Sequence, residues 1–163
     1  FEDGKIVEHW DNLQETAKPN QSGHTMIDGA TEIKDLDKTE ANKQIVKEFV
    51  TDILMAADYD KIEDYIDKNR YIQHNPLIGD GLQAFLEMQL PKLKDGTLLR
   101  HTNLYNVFGE GNFVLTVSEA KTDTVDKAFY NLFRIENGKI VEHWDTIENI
   151  PSKENWKNKN GKF

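Results

Sequence analysis

Apolar residues in the first half of the chain recur every three or four positions, the spacing that gathers them on one face of an α-helix. Ile45, Val46, Phe49, Val50, Ile53 and Leu54 form one such face, and Asp37 with Glu40 three positions later makes an N-cap pair that predicts the helix start. A shorter helix is predicted after Asp60, with Ile62, Tyr65 and Ile66 facing inward. Arg70 to Asn75 reads as a brief strand stopped by Pro76. The turn Gly79-Asp80-Gly81 then opens a third helix with Leu82, Phe85, Leu86 and Leu90 on one side, which Pro91 should kink or end.

Beyond Gly96 the helical period gives way to alternation. Strands are predicted at Leu98 to Phe108, Phe113 to Thr122, Ala128 to Ile135 and Lys139 to Ile147. The joints are Gly109-Glu110-Gly111-Asn112, the polar stretch Asp123 to Lys127, and Asn137-Gly138, a strong hairpin signal. The order of helix, helix, short strand, helix and four antiparallel strands predicts an α+β fold in which a curved sheet wraps over the helices and leaves a pocket at its concave face. Alternation in the last strand sets Val141, His143 and Asp145 on one face and Ile140, Glu142 and Trp144 on the other. The first set is assigned to the pocket, because Ile140 and Trp144 offer an apolar cover for the outer surface, where a partner subunit would pack.

The eight residues of that strand, GKIVEHWD from Gly138 to Asp145, also stand at Gly4 to Asp11. The sequence after each copy runs in parallel too, Asp145 leading to Pro151 and Gly161 much as Asp11 leads to Pro19 and Gly23. A tandem duplication accounts for this. Residues 1–34 are then the tail of a truncated preceding repeat plus a linker, rich in Pro, Asn, Ser and Gly between Thr16 and Gly29, and residues 35–163 are one complete domain. The competing reading is a single protein whose extension happens to repeat a strand. Within the first copy Glu2-Asp3-Gly4 reads as a turn and Lys5 to Trp10 as a strand. His9 and Asp11 lack the helices and polar cluster that would complete a pocket, so the strand is expected to pair with a sheet edge of this or another molecule. The chain begins at Phe1 inside this apparent strand, which points to an upstream portion and leaves a signal peptide open.

A length of 163 residues with 37% apolar residues suits one soluble domain. A net charge of −9 with no basic stripe argues against nucleic-acid binding. The absence of cysteine removes disulfides and thiolate metal sites and is compatible with a reducing cytoplasm, the expected location. No apolar run approaches the roughly 20 residues that span a bilayer, so no membrane partner is expected.

Asp145 is the leading chemical candidate, since a carboxylate in an apolar pocket has a raised pKa and can move a proton. The plainer alternative is a strand-end cap or a pair with a lysine, and burial decides between them. The second polar cluster is YIQHNP, Tyr71 to Pro76, with Ile72 and His74 on one face and Tyr71, Gln73 and Asn75 on the other. His74 is taken as the partner of Asp145; the competing reading is a satisfied core histidine. Tyr71, Gln73, Tyr130, Asn131 and Arg134 are candidates for lining or orienting groups. The five histidines, His9, His24, His74, His101 and His143, show no His-x-x-x-His pair or facial-triad spacing, so no metal is expected. Ser118 lies in no Gly-x-Ser-x-Gly elbow, and Gly79-Asp80-Gly81 is a turn rather than a phosphate loop.

Together, YIQHNP, the Gly-led helix with Phe85, and FRIENGKIVEHWD from Phe133 to Asp145 resemble the SnoaL-like polyketide cyclase branch of the nuclear transport factor 2 and ketosteroid isomerase superfamily. The resemblance spans residues 37–163. It implies a conical α+β barrel with an internal pocket, often dimeric through the sheet. It further implies that Asp145 serves as acid/base, assisted by pocket histidines, in reactions such as aldol ring closure that need no cofactor. The same cone also hosts isomerases, dehydratases, hydrolases and pockets with no reaction.

The leading reading is therefore a cofactor-independent acid/base enzyme, an aldol-type cyclase, isomerase or lyase, acting on a small hydrophobic carbonyl compound. Asp145 would transfer the proton, His74 and His143 would polarise or orient the substrate, and Tyr71, Gln73, Tyr130 and Trp144 would contact it. The expected partners are that small molecule and a second copy of the chain, as a homodimer through the sheet. The alternatives are a non-catalytic ligand-binding module and an association domain whose pocket is filled by Phe85, Phe129 and Trp144.

Overall fold

The computed structural model describes residues 1–121 and 125–163. The first helical face becomes α1, Thr39–Phe49, prolonged by a π-helical stretch at Val50–Met55; together they bury Val46, Phe49, Val50 and Ile53. Asp37 does not cap it. It falls in a single 3-10 turn, Leu36–Lys38, and the helix start is tied down by Thr39, whose hydroxyl donates to the Leu36 carbonyl (2.8 Å) and accepts from the Gly111 amide (2.9 Å). α2 is one turn, Ile62–Tyr65. α3, Leu82–Asp95, runs through Pro91 and stops at Gly96, whose φ of 79° provides the left-handed terminus. The expected break at Pro91 is thus deferred. Glu87, whose carbonyl loses its partner to the proline, is an exposed residue, on the side of the helix open to solvent.

The strands are β1, Ile72–Gln73; β2, Arg100–Glu110; β3, Phe113–Lys121; β4, Asp126–Glu136; and β5, Lys139–Asn149. They form one open mixed sheet in the order β1-β5-β4-β3-β2, with β1 parallel to β5 and the rest antiparallel. β1 is shorter than the strand expected over Arg70 to Asn75. The expected end of the third-to-last strand at Thr122 and the start of the Asp123 to Lys127 joint lie outside the described residues. The helices cover one face of the sheet, where Val46, Phe49, Ile66, Phe85, Val114 and Phe133 meet in a single core. Among the described residues, no helix is long and apolar enough to cross a membrane.

One bulge changes the expected face assignment. β4 and β5 pair Arg134 with Glu142 and then Ile135 with Ile140, so Val141 is an extra residue with no partner opposite. Ile140 therefore turns back to the helix side and is fully buried in the core. It does not share the outer face with Glu142 and Trp144.

The N-terminal segment departs further from expectation. Asp3 and Gly4 have φ of 48° and 73°, nearly the 51° and 75° of Asn137 and Gly138, so the turn recurs in both copies. The first copy goes no further than a Glu2–Lys5 bridge; residues 6–14 form no strand. The segment from Asn12 to Lys34 instead straps the outer side of the sheet. Asn12 donates to the Thr146 carbonyl (2.6 Å) and Gln14 accepts from the Ile147 amide (2.7 Å), satisfying β5 where β1 no longer pairs with it. Asn20 donates to the carbonyls of Gln73 (2.6 Å) and Ile78 (3.0 Å). Lys34 and Asn112 close the strap with backbone and side-chain bonds of 2.8 Å.

Candidate active site

β1 lies beside β5 with Gln73 opposite His143, and β4 lies on the other side with Asn131 opposite Asp145 and Phe133 opposite His143. Residues in register point the same way, so Tyr71, Gln73, Asn75, Asn131, His143 and Asp145 all face the helices. They line a cavity of about 370 Å³ whose remaining wall is mostly apolar, including Phe85, Phe129 and Phe133. His143 and Asp145 stand on the cavity side as expected, whereas Val141, expected beside them, is the bulge residue and does not line the cavity.

Asp145 is held on one side only. Its Oδ2 accepts a 2.6 Å hydrogen bond from Asn75, while its Oδ1 is buried and has no hydrogen-bond partner among the described residues. Burial pushes its carboxyl up to about 6, against the opposing pull of the Asn75 bond. The residue as a whole is half-buried, with the free oxygen sealed from solvent.

His143 is in the pocket wall but is fully engaged. Nδ1 lies 2.9 Å from Gln73 Oε1 and Nε2 lies 3.1 Å from the Asn131 side-chain amide, and the ring stacks on Phe133 at 4.8 Å. The Gln73 amide is oriented by the Asn75 backbone N–H, which donates to Oε1 at 2.9 Å, so His143 donates to Gln73 from Nδ1. Burial, with smaller contributions from His74 and His101, drops the imidazole to about 3, which keeps the ring neutral at ordinary pH. A neutral ring presents a lone pair at Nε2. That lone pair calls for the NH2 end of Asn131, the end that otherwise has no partner among the described residues.

The Tyr71 hydroxyl accepts from Gln73 Nε2 at 3.2 Å, which leaves its own hydrogen free. Burial, and then the nearby Asp145 charge, push this phenol upward, so it stays protonated and keeps a hydrogen to donate. His101, absent from the sequence-derived set, also lines the cavity. It bonds Ser118 Oγ (2.8 Å), and burial lowers it to about 4.

Four expected site residues stand elsewhere. His74 is on the opposite side of β1, because Gln73 faces the cavity and its neighbour must face away. It is buried against Glu142, with Nε2 2.9 Å from Oε1, and it is not paired with Asp145. Trp144 stacks on His74 at 4.5 Å on this outer side and donates from Nε1 to the Asp28 carbonyl of the strap (2.7 Å). Tyr130 faces outward next to Leu132, under the strap's Met26 and Ile27. Arg134 is outward as well, its Nε 2.6 Å from Glu142 Oε2. Asn75 and Asn131, the residues that hold Asp145 and His143, were legible as members of the pocket-facing alternations Tyr71-Gln73-Asn75 and Phe129-Asn131-Phe133. His101 was not, because β2 shifts register twice between His101 and Asn106.

No protein-family model and no curated protein matches the chain. Solved structures do. A nuclear transport factor 2-like protein of unknown function from Mesorhizobium loti superposes with a TM-score of 0.58 at 19% identity, covering 72% of this chain and 99% of the other. A protein of unknown function with cystatin-like fold from Xanthomonas campestris gives 0.55 at 23%, covering 65% and 89%. A SnoaL-like polyketide cyclase from Agrobacterium tumefaciens gives 0.50 at 16%, covering 66% and 91%. With its open five-stranded sheet wrapped over helices and a cavity between them, the chain has the nuclear transport factor 2-like fold, the fold it shares with SnoaL-like polyketide cyclases.

Proposed function

We propose that the chain is a cofactor-independent acid/base enzyme acting on a small hydrophobic carbonyl compound, with Asp145 as the group that moves the proton. The observation that carries this reading is Asp145 in the lining of a largely apolar cavity, with its buried Oδ1 left without a hydrogen-bond partner among the described residues. A carboxyl with a pKa of about 6 is ionised at neutral pH yet close enough to neutrality to return the proton. Asp145 takes a proton from the carbon next to the substrate carbonyl, and the Tyr71 hydroxyl donates to the enolate oxygen that forms. The enolate then attacks a second carbonyl of the same molecule, in an aldol closure, or is reprotonated at another carbon. The Agrobacterium structure, a SnoaL-like polyketide cyclase, supports the first course. His143 and Gln73 act as a rigid, neutral wall that orients Tyr71. Residues 35–163 are the catalytic unit, and residues 1–34 are the end of a preceding repeat now used as a strap, a reading supported by the matching turns at Asp3-Gly4 and Asn137-Gly138. A homodimer would use the outer face of β2, where Phe108 is exposed.

The test is deuterium exchange at the carbon next to the carbonyl in a panel of cyclic and polyketone ligands, alongside their binding. Asp145→Asn is expected to slow exchange by about 100-fold or more while leaving affinity within a few-fold. Ligands that bind both proteins equally and exchange with neither would replace the enzyme with a non-catalytic binding module.

A further inference from the structure

We propose that His24, Asp28 and His74 form a divalent-cation site, suited to zinc, that clips the N-terminal strap to the β1–β5 edge of the sheet. Their ligand atoms all lie within 4.8 Å of one another. The site stands on the outer side of the sheet, apart from the Asp145 cavity, and does not depend on the proposed enzyme.

The donors are arranged as metal ligands are. Each imidazole has its Nε2 on a carboxylate, His24 on Asp80 at 3.0 Å and His74 on Glu142 at 2.9 Å. A carboxylate behind one ring nitrogen keeps the hydrogen there and leaves the other nitrogen, Nδ1, with a lone pair for coordination. Nδ1 of His74 lies 2.9 Å from Asp28 Oδ1 and 2.8 Å from the Thr25 carbonyl, so oxygen donors converge on that nitrogen. In the cation's absence a proton on Nδ1 binds these oxygens. A divalent cation takes its place, the proton leaves to solvent, and the ring becomes a neutral ligand.

The scaffold behind the ligands is rigid and the front is adjustable. His74 is fully buried and stacked within 6° of parallel on Trp144, and Glu142 is anchored by Arg134 at 2.6 Å. The Asp28 side chain is 45% exposed and that of His24 32%, and both belong to the strap. Tetrahedral zinc brings its donors to about 3.3 Å from one another, so the strap side closes by up to about 1.5 Å. Two imidazoles and a carboxylate favour zinc or a neighbouring transition ion over calcium or magnesium, which take oxygen ligands. The Thr25 carbonyl or a water would complete the coordination.

The experiment uses the full chain, stripped with chelator and titrated with Zn²⁺ by calorimetry and with Co²⁺ by visible absorption. One Zn²⁺ per chain, tetrahedral Co²⁺ bands and a Zn²⁺-dependent rise in melting temperature are expected. His24→Ala and Asp28→Asn should each weaken binding by about 10-fold or more and abolish that rise, with His9→Ala unchanged. Asp28→Asn keeps the shape of an exposed side chain, so it decides the matter if His24→Ala folds poorly. Absence of saturable uptake, or binding unaffected by both substitutions, would overturn the site.

Discussion

Asp145 carries a cost of burial, and the cost has a pH signature. In the unfolded chain it titrates near its ordinary 3.8; folded, burial raises it to about 6. Below about pH 4 it is protonated in both states and the penalty is absent. Through the interval up to about 6 the folded protein keeps a proton that the unfolded chain releases, so stability falls as pH rises, and above that the full penalty stands. Two pKa units correspond to at most about 3 kcal/mol. Asp145→Asn should therefore be more stable than the parent in urea titrations at pH 8 and nearly equal to it at pH 4; equal differences at both pH values would mean that the carboxylate is not desolvated. Alternation set this residue on one face with His143, because it reports which side chains share a face, but Ile140, taken as cover for the outer side, lies in the core. The same alternation set His74 opposite Tyr71, Gln73 and Asn75, and once Gln73 lies in register with His143, His74 can only face away from Asp145. What alternation does not contain is the register between strands, and the pairing of His74 with Asp145 was lost there.

At the scale of the element, GKIVEHWD is a natural comparison of one sequence in two settings. The turn before it forms at both sites, since Asp-Gly and Asn-Gly take positive φ locally. The strand forms only at Lys139–Asn149, where β4 and β1 supply backbone partners and the helices supply an apolar face. Turn chemistry is thus legible from a few residues, whereas strand content needs neighbours that those residues do not encode. Helix faces were read well for the same reason that turns were, being local. The strap was read only as a linker, because its bonds come from isolated Asn, Gln and Trp side chains with no period. Its tightest point is Gly29, at a φ of 109°, where an added Cβ would lie 2.7 Å from the Trp144 ring and 2.9 Å from His74 Nε2, besides meeting the Glu142 carboxylate. Gly29→Ala is expected to cost about 2 kcal/mol or more and to speed proteolysis at Lys18. A variant with the parent's urea midpoint and proteolysis rate would show that the strap does not hold this contact.

Across the whole molecule the sheet separates two environments. Its inner face shelters a largely apolar cavity lined, among the described residues, by one carboxylate, and its outer face holds the ion-paired Arg134, Glu142 and His74 beneath the strap. A dimer formed through the sheet must use what the strap leaves free, and Phe108, 55% exposed, is central to that area. Phe108→Asp should shift a dimer to monomer by native mass spectrometry; a dimer that survives the change would place the interface elsewhere. The architecture was legible from the order of periods along the chain, and the strap's occupation of the outer face was not. The bulge at Val141 bears on how such a site changes through descent. Because Val141 is an extra residue, the pairs Ile140–Ile135 and Glu142–Arg134 already follow the phase of an uninterrupted strand. Loss of that one residue would leave every later side chain on its present face. Loss of Glu142, with Val141 drawn into the ladder in its place, would likewise keep His143 and Asp145 on the cavity face, whereas loss of His143 or Trp144 would keep Asp145 there only by turning Glu142 inward. The bulge thus gives the strand one residue of slack, immediately before the side chains that line the cavity.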